Sequence, residues 1–393
     1  MSTEYRAGNR LILLNSNAEY LPALLSAVAE AQHEIFLESY IFANDPTGHV
    51  VAATLEEAAR RGVTVRVLVD GFGASNFARD FLPRLTAASV QAMIYRPEVA
   101  RFRLRRHRLR RLHRKLAIID GRIAFVGGIN IIDDKNVPAR MKPRFDYAVQ
   151  VEGPVLFEIH AAMVRMWEIV AWVNFRGRFH IEETCQPTGL VTGNQEAAFL
   201  IRDNFRHRNA IANAYDDAIE TAREEIIIAN AYFLPGIRFR RALVAAVQRD
   251  VRVTILLQGR SDHKLVQYAT QALYGAMLVK GIRVFEYRRS FLHAKVAVID
   301  QHWATVGSSN IDPLSLLLSK EANLFIRDKH FAGQLHASLL HAMEDGAVEI
   351  HPHDLKKMSR LQRLRCWLSY ALVRLLLGLA GYDPSWLPHA DES

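Results

Sequence analysis

Two stretches of the chain carry the same chemically active side chains at the same spacing. HRKLAIIDGRIAFVGGINI begins at His113, HAKVAVIDQHWATVGSSNI begins at His293, and ten of nineteen positions are identical at a constant offset of 180. On a strand, residues i and i+2 share a face, so His113 emerges beside Lys115 and His293 beside Lys295. Each stretch then turns at Gly127-Gly128 or Gly307-Ser308 and presents Asn130 or Asn310, with Ser308 adding a hydroxyl. Brought face to face, the two copies offer two imidazoles, two ammonium groups and several neutral donors around one point. A phosphodiester needs these groups. A neutral imidazole can attack phosphorus while a second, protonated one gives its proton to the departing oxygen. Ammonium and amide groups neutralise the non-bridging oxygens, work that a metal does in other phosphoryl-transfer sites. No carboxylate cluster at metal-ligand spacing accompanies the histidines, so a reaction with no metal and no cofactor is expected. Asp120 and Asp300 complete each H-x-K-x-x-x-x-D pattern, where an Asp at a strand end serves either the reaction or the turn itself.

A repeated structural unit must position these side chains. Upstream, Ala59 to Gly71 matches Val247 to Gly259, and Glu34 to Phe42 loosely matches Glu225 to Phe233. In both copies an amphipathic helix (Pro22 to Gln32; Ile211 to Ala222) precedes a strand. A second helix (Val50 to Arg61; Arg238 to Gln248) and a strand rich in Val, Ile and Leu follow. KLAIIDGRIAFVG reads as two strands about an Asp-Gly turn. This pattern predicts an α/β fold, a tandem duplication of a mixed sheet covered by helices, with two sheets packed side by side about a pseudo-twofold axis. The seam is expected near Glu183 to Gln195, giving domains 1–190 and 191–350 and a tail, 351–393.

The 393 residues are half apolar and under a quarter charged, as in a folded protein. Two cysteines, Cys185 and Cys366, provide neither a disulfide framework nor a Cys-rich zinc site, and fit a reducing compartment. The net charge of +9 points to an anionic partner. The first residues lack the basic and apolar regions of a signal peptide. The longest apolar stretch, Cys366 to Tyr382, is interrupted by Arg374 and falls short of the ~20 residues that span a bilayer.

The duplicated pattern resembles the phospholipase D superfamily, whose signature is H-x-K-x-x-x-x-D followed by a Gly/Ser-rich turn and Asn. Together with IIANAYFLPG, VFEYRRSFLHAKVAVID and HWATVGSSNIDPLSL it is similar to the bacterial cardiolipin synthases, most of all the shorter B type. That resemblance covers most of residues 8 to 345. It implies a two-lobed α/β fold with the active site between lobes, and phosphatidyl transfer through a phosphohistidine with phosphatidylglycerol as substrate. It further implies an acidic residue downstream of each signature that orients an imidazole, here Asp146 and Glu321. By the same likeness His113 is the nucleophile and His293 the acid and then the base, or the reverse.

Charge alone does not separate a membrane from a nucleic acid, since the eight arginines between Arg101 and Lys115 suit either. The tail favours an anionic phospholipid membrane. Leu361, Leu364, Leu368, Leu372, Leu375 and Leu379 recur at helical spacing, basic residues from Lys356 to Arg365 lead in, and Trp367 and Trp386 flank the apolar face. The alternative is that this helix packs back on the protein. The expectation is a peripheral enzyme on the cytoplasmic face of the cell membrane, with no nucleic-acid partner. A related hydrolase or nuclease, or a non-catalytic membrane scaffold, is the competing class, and the scaffold leaves both His-Lys pairs unexplained.

Overall fold

A computed structural model describes residues 3–97, 110–138, 141–175, 185–203, 207–260, 264–312 and 319–379. The first half runs β1 (Arg6–Asn15), α1 (Ser16–Glu30), β2 (Glu34–Ser39), α2 (Pro46–Arg60), β3 (Thr64–Asp70), α3 (Phe77–Asp80), α4 (Leu82–Ala87) and β4 (Gln91–Tyr95). It continues with β5 (Arg111–Leu112), β6 (Leu116–Ile119), β7 (Ile123–Gly127), β8 (Tyr147–Glu152) and α5 (Leu156–Phe175). The second half runs β9 (Gln195–Arg202), α6 (Ala210–Thr221), β10 (Glu225–Asn230), α7 (Ile237–Gln248), β11 (Arg252–Gln258), α8 (Lys264–Gln271), α9 (Tyr274–Val279) and β12 (Arg283–Tyr287). There follow β13 (Lys295–Ile299), β14 (Trp303–Gly307), β15 (Ser319–Arg327), α10 (Lys329–Gly346), β16 (Ala347–Ile350), α11 (Pro352–Lys357) and α12 (Arg360–Leu379).

The strand order is β4-β3-β2-β6-β7-β8-β1 in one half and β12-β11-β10-β13-β14-β15-β9 in the other, the same topology twice, with β16 added at the β12 edge. In each half three strands run parallel and the rest antiparallel, so the sheet is mixed, as the sequence pattern predicts. The two sheets are not separate bodies lying side by side. Antiparallel pairing of β1 with β9 joins them into one 16-stranded order. The register shifts between Arg6 and Asn9, and side chains reinforce the seam: Asn9 donates to the Gln195 carbonyl at 3.2 Å and the Leu11 N–H donates to Gln195 Oε1 at 2.6 Å.

Alternation along the strands divides the interior. In β2, Ile35 and Leu37 face an outer core under α1 to α4, while Phe36 faces a central core. In β10, Ile226 and Ile228 face the second outer core and Ile227 and Ala229 the central one. Side chains of both halves meet in the central core, Val126 and Val149 with Val296 and Val306, alongside α5 and α10. Burial on both faces accounts for the nearly continuous apolar strands.

Local chemistry fixes the ends of elements. Asp45 caps α2 by accepting the Gly48 N–H at 2.9 Å, with Pro46 in the first turn. Asp328 caps α10 through the Phe331 N–H at 2.7 Å. The Asp120-Gly121 turn between β6 and β7 has φ of 51° and 57°, the mirror-image hairpin turn that Asp-Gly favours. Its counterpart places Asp300 at 50° and a non-glycine, Gln301, at 46°. No helix among the described residues is long and apolar enough to cross a membrane.

Candidate active site

The segment leading into each histidine pairs with the strand of the other half. Leu112 pairs in parallel with Lys320 on β15, and the His113 N–H donates to the Lys320 carbonyl at 3.0 Å. Leu292 bridges Phe145, and the His293 N–H donates to the Phe145 carbonyl at 2.8 Å. Each histidine is thus held against the residue just before the other half's carboxylate. The side chains follow: His113 Nδ1 lies 2.9 Å from Glu321 Oε1, and His293 Nδ1 lies 2.6 Å from Asp146 Oδ2. With Nδ1–H given to a carboxylate, Nε2 keeps its lone pair, the tautomer that a nucleophile or base requires.

The lysines sit between these pairs. Lys115 donates to the His113 carbonyl at 2.7 Å and lies over the Tyr40 ring at 5.2 Å. Lys295 is fully buried, donates to the His293 carbonyl, and places Nζ 2.9 Å from His293 Nδ1 and 3.9 Å from Asp146. Burial pushes the Lys115 ammonium down to about 7, aided by Lys295 and opposed by Glu321 and Asp146. Burial also lowers His113, against the pull of Glu321, and takes His293 to about 4, with Lys295 adding to it. Burial alone would raise Glu321, but His113, Arg202 and Lys115 hold it below the usual carboxylate range. Both imidazoles are thus held toward the neutral form, and the negative charge of an arriving phosphodiester favours their protonation.

Asp120 and Asp300 do not reach this point. Asp120 accepts the N–H groups of Gln32, His33 and Glu34, each at 2.8 Å. Asp300 accepts those of Arg223, Glu224 and Glu225 at 2.8 to 2.9 Å. Of the two roles open to them, the geometry gives the structural one: they tie a hairpin turn to the start of β2 or β10. Ser308, expected at the phosphate, donates its hydroxyl to Glu321 at 2.5 Å and accepts the Ala322 N–H at 3.1 Å, so it positions Glu321. Asn130 and Asn310 are both buried. Asn130 accepts the Ile41 N–H at 3.1 Å, whereas Asn310 Oδ1 is buried with no hydrogen-bond partner. Asn130 also lines a hollow of about 20 Å³ together with Asp146, His293 and Arg144.

Sequence reasoning did not single out Tyr40, Arg202 or Arg144. Tyr40 sets its ring edge-on to His113 at 4.8 Å. Arg202, fully buried, reaches within 3.8 Å of Glu321 and bonds Ser309 at 3.2 Å. No local pattern marks Tyr40 or Arg202, because each acts across a long separation in the chain. Among the described residues no group of three His, Cys, Asp or Glu side chains could hold a metal ion. The Arg-rich stretch from Arg101 to Leu109 and part of the seam, residues 183 and 184, lie outside the described residues.

Comparison with known proteins decides the family. A profile described as "Cardiolipin synthase, PLD-like domain" matches residues 24–167 and 215–343, the two halves that bear the histidines. The chain belongs to this family. Cardiolipin synthase B of Escherichia coli strain K12 is 38% identical over 99% of this chain and 93% of its own. A probable cardiolipin synthase of Bacillus subtilis is 30% identical over 85% of this chain and 66% of its own. The crystal structure of phosphatidylserine synthase from Haemophilus influenzae Rd KW20 superposes with a TM-score of 0.70, covering 95% of this chain and 96% of that one. At 12% identity that likeness speaks for the fold alone.

Proposed function

We propose that the chain is a phosphatidyltransferase that makes cardiolipin from two phosphatidylglycerol molecules, with no metal and no cofactor. His113 Nε2 attacks the phosphorus of the first lipid, a P–N bond forms, and the P–O bond to the headgroup glycerol breaks. His293, protonated once the phosphodiester anion has entered, gives its proton to that glycerol. Now neutral, His293 takes the hydroxyl proton of a second phosphatidylglycerol, whose oxygen attacks phosphorus and frees His113. Lys115, Lys295, Asn130 and Asn310 hold the non-bridging oxygens, and Asp146 and Glu321 orient the imidazoles. The observation that carries this reading is the crossed pair of His–carboxylate contacts, which sets two imidazoles and two lysines at one buried point.

The enzyme works as a peripheral protein on the cytoplasmic face of an anionic membrane, with residues 351–393 as the attachment. Helix α12 buries Cys366, Ser369 and Val373 and packs beside α8. Its other side leaves Leu361, Leu364, Trp367, Leu368, Leu372, Leu375 and Leu376 exposed, behind Lys356, Lys357, Arg360, Arg363 and Arg365. A narrow face of the helix packs on the protein, and the exposed leucine face supports the reading that it meets lipid. The side chain of Leu379 and all of Trp386 lie outside the description.

The reading is tested by incubating purified protein with phosphatidylglycerol vesicles and EDTA, followed by lipid mass spectrometry. Cardiolipin with free glycerol is the expected product. Phosphatidic acid alone would make the chain a hydrolase, and no lipid turnover would direct attention to nucleic-acid phosphodiesters.

A further inference from the structure

A second concave site lies beside the catalytic one. Along the segment from Arg111 to Lys115 side chains alternate, so that His113 and Lys115 face the reaction while Arg114 is turned toward α5, where it meets the Ala162 carbonyl at 3.4 Å. On β15, Glu321 meets His113 while its neighbour Lys320 lines a separate cleft of about 630 Å³. That cleft also receives Arg96, Arg110, Arg114, Arg165 and Arg202.

Cations outnumber carboxylates in that lining, although Arg202 also reaches Glu321 at 3.8 Å. Among the residues lining the cleft the carboxylate is Asp203, and Arg114 is already paired with buried Glu38 at 2.6 and 2.8 Å. Arg96 has a buried Nη1 with no hydrogen-bond partner. Burial, with Arg114 and Arg110, pushes Lys320 down to about 8 despite Asp203 and Glu38. The opposite wall is apolar: Met166, Ile169, Val170 and Val173 on α5, of which Ile169 and Val173 are exposed at the rim. Trp172 beside them is also exposed. Cations at one end and an apolar wall leading to solvent match an amphiphile with an anionic head. The volume is that of a ligand pocket, about 300–1,000 Å³.

We propose that this cleft binds a second anionic phospholipid, its phosphate between Lys320, Arg110 and Arg165 and part of an acyl chain along Met166, Ile169 and Val173. The proposal rests on the reading that membrane phospholipids are this chain's substrates, and adds a binding site outside the histidine pair. Because Lys320 precedes Glu321 and its carbonyl receives the His113 N–H, lipid in the cleft abuts the strand that orients His113.

The test uses the full chain carrying His113→Ala, so that lipid is not consumed, titrated with dioctanoyl phosphatidylglycerol and followed by calorimetry and native mass spectrometry. Two lipids per chain are expected. Adding Arg165→Glu with Lys320→Gln should weaken one of the two at least about tenfold and spare the other. Val173→Asp should weaken lipid but leave inorganic phosphate binding unchanged, and dioctanoylglycerol, lacking phosphate, should not fill the cleft. An unchanged melting temperature identifies variants that remain folded. One lipid per chain in every variant, or two that ignore these substitutions, would overturn the proposal while leaving the synthase reading intact. Inorganic phosphate binding as tightly as the lipid would overturn its lipid part. No lipid bound at all would contradict both.

Discussion

The two halves share a strand order and a signature, yet they build the neighbourhood of their histidines differently. Glu321 is held by the Ser308 hydroxyl and approached by Arg202, whereas Asp146 accepts its own neighbour's N–H, from Tyr147 at 2.8 Å. The position matching Ser308 is Gly128, where a Cβ would lie 2.4 to 2.8 Å from the Asp146 carboxyl group. A shorter acid thus occupies the space that a hydroxyl fills in the other copy. Tyr40 walls His113, and its counterpart by alignment of β2 with β10 is Ala231. Duplication supplied two equivalent imidazoles, and the differences around them give each its own electrostatic setting. The proposed reaction, with one nucleophile and one acid, calls for such a difference.

The largest expected effect removes that division of labour. His113→Ala and His293→Ala should each lower cardiolipin formation by about a thousandfold or more, measured as initial rate on phosphatidylglycerol vesicles. If either variant kept near-normal activity, one half would suffice and the comparison would fail.

A sharper contrast is between the matched positions. Gly128→Ala drives a methyl into the Asp146 carboxyl group and should cost about a hundredfold in kcat, whereas Ser308→Ala removes one hydrogen bond to Glu321 and should cost about tenfold. Equal losses would mean that the two carboxylates are held alike.

Binding should report the depressed lysine. The protonated Lys115 attracts the phosphate, and binding raises its pKa, so affinity is complete below about pH 7 and lost as the pH rises beyond it. The Kd of dioctanoyl phosphatidylglycerol for the His113→Ala chain should weaken by up to about tenfold per pH unit above 7. A flat profile between pH 6 and 9 would place that lysine outside the phosphate's field.

The smallest effect lies in the turns. Gln301 has φ of 46° and is exposed, where the first copy has Gly121. Gln301→Gly should stabilise the chain by about 0.5–1 kcal/mol in denaturant unfolding, with activity unchanged. The matching Gly121→Gln should destabilise by more than this, because a Cβ there would also lie 3.0 Å from the backbone of Gln186 and Pro187.

What the sequence conveyed was local or repeated. The α/β pattern, the duplicated unit and the residues His113, Lys115, His293 and Lys295 follow from periodicity and from a motif written twice. The sequence left Asp120 open between the reaction and the turn, and did not show the three N–H groups it accepts, from the two residues before β2 and from its first residue. The crossing of carboxylates was not legible, because it depends on Leu112 pairing with Lys320 and Phe145 with Leu292, partners more than 140 residues apart. Nor was the single sheet, which rests on the short β1–β9 pairing at the seam. The leucine stripe of the tail was visible, but which face packs depended on small residues such as Ser369 that carry no hydrophobic signal.

The central claim is that each half orients the other half's imidazole. Nitrogen-15 NMR of the histidine rings, assigned by single substitution, measures this directly in Glu321→Gln and Asp146→Asn. Glu321→Gln is expected to shift the His113 ring nitrogens and leave those of His293 in place, with Asp146→Asn doing the reverse. Glu321→Gln moving His293 instead, or each variant moving both rings equally, would contradict the crossed site.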